Sequence, residues 1–148
     1  YDITNNPDDV IKTYALSSCV ALTVYARMKK VMGMAHIVLP SSQIMADRMC
    51  VNPAYCADTA VPLLIEKICS EYGCASGELE LKLFGSAESI RTDDTFNIGT
   101  RNVEMIEAIL KEMNLKTCYT DTGGNKVRSV TADAATGKVK VDYQPLMI

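Results

Sequence analysis

The sequence has no tryptophan, two phenylalanines and one histidine, and its basic residues scarcely cluster: Lys29 and Lys30 are the only adjacent pair. With a net charge of −3, that scatter excludes a general nucleic-acid binder, because phosphate contact needs grouped Lys and Arg. No apolar run approaches the roughly 20 residues that cross a bilayer, so no membrane insertion is expected. No charged start followed by an apolar core marks export, and a cytoplasmic location is expected. There is no C-x-x-C, and one histidine with scattered cysteines makes no metal site. Cys19, Cys50, Cys56, Cys69, Cys74 and Cys118 are therefore read as six reduced thiols.

What remains is 148 residues, 48% apolar and 22% charged, the balance of one globular domain able to bury a core. The stretch from Thr13 to His36 organises it. Val20, Leu22 and Val24 alternate with Ala21, Thr23 and Tyr25, the period of a half-buried strand. Arg27 to Lys30 is polar enough to turn, and Val31 to Leu39 returns as a second apolar run. A hairpin folded about residues 27 to 28 sets Cys19 nearly opposite His36. A thiolate attacks carbonyl carbon where a thiol does not, and a neighbouring imidazole can lower the thiol pKa and protonate a leaving group. Set against this, a cysteine entering a strand and a histidine in an apolar strand are most often plain core residues.

Elsewhere, Asn5 to Asp9 is a turn before the short run Val10 to Leu16. Residues 41 to 58 form a long link, a candidate lid or cleft rim. Asp58 is the expected N-cap of a helix with Pro62 in its first turn, a core face of Val61, Leu64, Ile65, Ile68 and Tyr72, and Gly73 at its end. Leu79, Leu81 and Leu83 predict a strand ending at Gly85, and residues 86 to 96 a loop. Thr100 is the expected cap of a second helix bearing Val103, Ile106, Ile109, Leu110 and Met113. A strand over 115 to 119, a turn at Gly123 and Gly124, and a hairpin of 130 to 133 with 138 to 143 complete the chain. Arg128 lies just beyond and could anchor a carboxylate or support that glycine turn, support being the favoured reading. Several strands with two principal helices predict an α+β layered sandwich, mixed or antiparallel sheet with helices packed outside.

Four blocks occur in order: Ser18–Val20 with Gly33–Pro40, then Ala57–Ala60, Asn97–Asn102 and Asp121–Val130. Together they resemble the CheD family, the chemoreceptor glutamine deamidases. The resemblance implies a cysteine–histidine–threonine triad on a fold shared with the cytotoxic necrotizing factor toxins, with Cys19 as nucleophile, His36 as general base and acid, and Thr13 orienting His36. It places Ser17, Ser18, Gly85 and Ser86 near substrate and oxyanion, and requires neither metal nor cofactor. The partners it implies are chemoreceptor cytoplasmic helices and a CheC-type phosphatase, and the acyl chemistry extends to glutamyl methyl esters. This sequence departs from the family pattern at Ala15, Ser17 and Ser86, where the family usually has glycine, and at Cys56, where a tyrosine is usual and Tyr55 stands one place earlier. An added side chain obstructs a backbone that needs positive φ or close approach. The alternative function is accordingly a CheD-like binding module, weakly active or inactive, that regulates the phosphatase or the receptors.

Overall fold

The computed structural model describes residues 1–42, 52–87 and 97–145. Its strands are β1 (Asp2–Thr4), β2 (Val10–Leu16), β3 (Val20–Ala26), β4 (Val31–Ile37), β5 (Leu79–Gly85), β6 (Thr117–Thr122), β7 (Lys126–Asp133) and β8 (Val139–Pro145); the helices are α1 (Ala57–Tyr72) and α2 (Ile98–Glu112). They form a five-stranded sheet in the order β1-β4-β3-β5-β6 and a three-stranded sheet in the order β2-β7-β8. All pairings are antiparallel except β5 with β6. This is the expected α+β layering, with the two sheets packed face to face and the helices covering the far face of the larger one.

β3 is buried along its whole length, not half-buried as its alternation suggests. The alternation sorts two apolar environments rather than core from water. Val20, Leu22, Val24 and Ala26 join Val31, Ala35, Leu64, Ile68, Ile106 and Leu110 beneath the helices. Ala21 and Tyr25 join Met32, Met34, Phe84, Ile11, Leu16 and Val130 between the sheets. Strands central to three-layer folds are covered on both sides, so each face selects apolar residues.

The helices follow their apolar spacing, but their caps do not follow the sequence signals. α1 begins one residue before Asp58; Cys56 takes the cap position without a side-chain cap bond. The Asp58 carboxylate instead accepts from the Ser42 N–H (3.0 Å) and the Ser42 hydroxyl (2.9 Å), tying down the segment after β4. Pro62 falls in the second turn, and Gly73, in the left-handed region, ends the helix as expected. α1 lies close on β4 because residue 33 is glycine: a Cβ there would stand 2.8 Å from Ile68 Cδ1. α2 is capped by Asn97, not Thr100. Its deepest stripe runs through Gly99, Asn102, Ile106 and Leu110, while Val103, Ile109 and Met113 flank it.

Three further expectations change. β1 lies ahead of the turn at Asn5 to Asp9, where no strand is expected from the sequence, and β6 runs from 117 to 122 rather than 115 to 119. β7 starts at Lys126, so the final hairpin is longer than its apolar residues indicate. Cys56 is disulfide-bonded while Cys19, Cys69, Cys74 and Cys118 are free, which corrects the reading of all six as thiols. Cys50, most of the candidate lid (43–51) and most of the loop after β5 (88–96) lie outside the described residues. Arg128 is 5% exposed and supports the glycine turn as expected, donating to the Gly123 carbonyl (2.8 Å), the Gly85 carbonyl (3.2 Å) and Asp121 (3.2 Å).

Candidate active site

The β3–β4 register pairs Val20 with Ile37, Ala21 with His36 and Ala26 with Val31. The turn is thus centred between residues 28 and 29, and His36 lies opposite Ala21 rather than Cys19. A shift of two residues preserves the face. Cys19, one residue ahead of β3, packs into the cluster between the sheets, and His36 emerges on that side after Met32 and Met34. Thiol and imidazole therefore share one side of the large sheet.

Thr13 arrives from the other sheet. β2 pairs Thr13 with Val130 and Leu16 with Arg128, so it carries one extra residue in between. Ala15 takes up that bulge with φ +54° and donates its N–H to the Ser129 hydroxyl at 3.1 Å. The bulge lets Ile11, Thr13 and Leu16 address the larger sheet despite their mismatched spacing. The result is a 2.8 Å hydrogen bond between Thr13 Oγ1 and His36 Nδ1. Thr13 and His36 line a cleft of about 390 Å³ whose wall also includes Asp2, Lys12, Val38 and Tyr55. Tyr55 reaches it from one position before that of the family's usual tyrosine, while Cys56 is fully buried. Cys19 is half-buried and does not form part of the cleft wall.

The loop 17–19 is held from behind by its carbonyls. The Ala87 N–H donates to Ser17 O (2.7 Å), the Asn102 side chain to Ser18 O (3.1 Å) and the Ser86 N–H to Cys19 O (2.9 Å). Among the described residues, the N–H groups of Ser18 and Cys19 have no acceptor. Gly85 is required here by close approach: with φ +119°, a Cβ on it would meet Cys19 O at 2.3 Å. Ser86, φ +55°, is 4% exposed, and a Cβ on Gly99 would meet its hydroxyl at 2.8 Å. The Ser86 side chain is thus directed at the start of α2, not at the cleft. Ala15 and Ser86, two of the three departures from glycine, both occupy the left-handed region that explains the family's preference.

Burial pushes the Cys19 thiol above 9.0 and the His36 imidazole below 6.5. Desolvation disfavours the charged form of each, so the resting pair is neutral. This departs from the lowered thiol pKa expected from sequence, because burial of the sulfur outweighs any help from an uncharged ring. The sequence reading gave Asn102 no role. Its signal was a polar residue at i, i+4 and i+8 spacing with Ile106 and Leu110, where an apolar one is expected.

The fold is thus a two-sheet α+β protein in which a threonine and a histidine meet in a cleft and a half-buried cysteine lies on the same side of the large sheet. The family model described as CheD chemotactic sensory transduction matches residues 38–143. Three relatives align over most of their length. The chemoreceptor glutamine deamidase CheD of Thermotoga maritima is 40% identical over 95% of this chain and 85% of its own. Proteins named probable chemoreceptor glutamine deamidase CheD, from Syntrophotalea carbinolica and Pyrococcus abyssi, are 38% and 37% identical, over 95% and 90% of this chain and 88% and 82% of theirs. The chain belongs to the CheD family.

Proposed function

We propose that this protein hydrolyses glutamine side-chain amides of chemoreceptors to glutamate, with Cys19 as nucleophile. The observation that carries the reading is the Thr13–His36 hydrogen bond on the face that also holds Cys19. For His36 to act as base its Nε2 must be bare, so Nδ1 carries the proton and donates it to Thr13 Oγ1. Because the resting pair is neutral, Nε2 takes the thiol proton as Sγ attacks the amide carbon, rather than relying on a preformed thiolate. The tetrahedral oxyanion lies against the Ser18 and Cys19 N–H groups. His36 then gives its proton to the departing nitrogen, ammonia leaves and a thioester remains. Water, losing a proton to His36, attacks the thioester and releases glutamate and the thiol.

The same steps apply to a glutamyl methyl ester, with methanol leaving in place of ammonia. A receptor helix that gains a carboxylate gains a charge, which changes its local electrostatics. The names of the relatives support the receptor substrate. A CheC-type phosphatase is proposed as a second partner, and the cytoplasm as the location. The inward turn of Ser86 favours the enzyme over the inactive binding module, since that hydroxyl does not fill the cleft.

The test is incubation with a receptor cytoplasmic fragment, followed by peptide mass spectrometry and ammonia release. Conversion of glutamine to glutamate by the wild type and not by Cys19→Ala supports the reading. Binding without conversion is the outcome of the binding-module alternative.

A further inference from the structure

Asn102 is fully buried within the apolar stripe of α2. Its amide nitrogen donates to two carbonyls from separate segments, Ser18 O and Val38 O, each at 3.1 Å. Two acceptors facing one side-chain amide call for its NH2 end, so chemistry fixes the orientation. The other end, Oδ1, is buried with no partner among the described residues. The fold keeps an orphaned acceptor here in order to keep the two bonds made by the nitrogen.

The carbonyls it holds are informative. In a trans peptide the C=O and N–H point in opposite directions. Drawing Ser18 O toward α2 therefore sends the Cys19 N–H toward the opposite face, where Cys19 and His36 lie. The Ala87 N–H, by holding Ser17 O, does the same for the Ser18 N–H. Those partners are backbone groups that many sequences would supply; Asn102 is the one side chain in the set. Through Val38 O it also ties the loop to the chain two residues beyond His36.

We infer that Asn102 is a positioning residue that aims the Cys19 N–H at the oxyanion of the acyl-transfer step and holds the Cys19 loop in register with the strand carrying His36. It touches neither substrate nor the reacting atoms. The inference rests on the nucleophile reading above.

The experiment compares wild type, Asn102→Ala and the similar-sized Asn102→Leu in steady-state deamidation of a receptor cytoplasmic fragment. Alkylation of Cys19 by iodoacetamide across pH and thermal unfolding are measured alongside. Alkylation is displacement at saturated carbon and forms no oxyanion, so it reports thiol reactivity alone. Misaiming one donor should cost roughly 10- to 100-fold in kcat, less than the loss of a donor outright. KM and the rate and pH dependence of alkylation should stay as in wild type. Asn102→Leu, close in size and without a donor, should behave alike, and it supplies the readout if the alanine variant does not fold. Unchanged kcat, a change in KM alone, or kcat and alkylation falling in step would overturn the positioning role. If Cys19→Ala still turns over, or wild type does not, the nucleophile reading falls and this inference with it. An inert Cys19→Ala beside Asn102 variants at full kcat removes only the role of Asn102.

Discussion

Thr13 Oγ1 and His36 Nδ1 lie 2.8 Å apart although they are 23 residues distant in sequence and belong to different sheets. The contact fixes the ring of the sole histidine from the side opposite the large sheet's own strands. Thr13→Ala should lower kcat about 10-fold by freeing the ring, a partial loss smaller than the roughly 10²- to 10⁴-fold that general acid–base catalysis as a whole contributes. Thr13→Ser, which keeps the hydroxyl, should recover most of it. Steady-state kinetics of the two variants decides the matter; equal loss in both would leave the hydroxyl without a role.

The neutral resting pair has a pH signature. His36 is depressed below 6.5, so activity should persist below pH 6.5 before its acid limb appears. The unfolded chain takes up this proton first as pH falls. The stability gained by keeping His36 neutral is therefore present above 6.5 and lost as pH drops toward the folded value. Cys19 is raised above 9.0, so the sign reverses: that contribution is present below 9.0 and lost as pH rises through the folded value. Iodoacetamide alkylation of Cys19 should show its inflection above pH 9.0. An inflection near neutrality would reveal a preformed thiolate–imidazolium pair instead.

Ala15 holds a left-handed conformation at an exposed position, so its methyl group brings strain with little packing in return. Ala15→Gly should stabilise the protein by about 1 kcal/mol, the strain removed exceeding the entropy that glycine adds to the unfolded chain. In a chain of this size that corresponds to a rise of about 2–4 °C in Tm, measurable by calorimetry. A lower Tm would mean that the bulge tolerates the methyl group without strain.

Arg128 is nearly fully buried and holds the Gly85 and Gly123 carbonyls together with Asp121, whose other oxygen accepts from the Tyr143 hydroxyl. Arg128→Met should destabilise by about 3 kcal/mol, because it strands a partly buried carboxylate and two carbonyls. Arg128→Lys should recover little, since one ammonium cannot reproduce the guanidinium fork. Urea unfolding of both variants is the measurement. A near-neutral Arg128→Met would show that Asp121 and the turn carbonyls are satisfied by water.

The order of elements was legible along the chain because it rests on local periodicity. Val61, Leu64, Ile65 and Ile68 recur at helical spacing, Leu79, Leu81 and Leu83 at strand spacing, and Gly73 marks a helix end. Caps were less legible, because Asp58 and Thr100 are competent caps in isolation and only neighbours decide otherwise: Ser42 claims the Asp58 carboxylate. The burial of β3 could not be read from its own residues, since Ala21, Thr23 and Tyr25 fit a wet face as well as one covered by a second sheet.

By itself, the amino-acid order determined the family, through four motif blocks, and the parity that puts Cys19 and His36 on one side of a hairpin. Parity is a property of local backbone geometry and survives a one-residue error in the turn, which shifts the register by two. Only the packing of the small sheet on the large one decided that Thr13 meets His36, that Asn102 grips the Ser18 carbonyl, and that the thiol and imidazole rest uncharged. Those outcomes depend on which groups exclude water from one another, and residues far apart in sequence settle that only once the layers have closed.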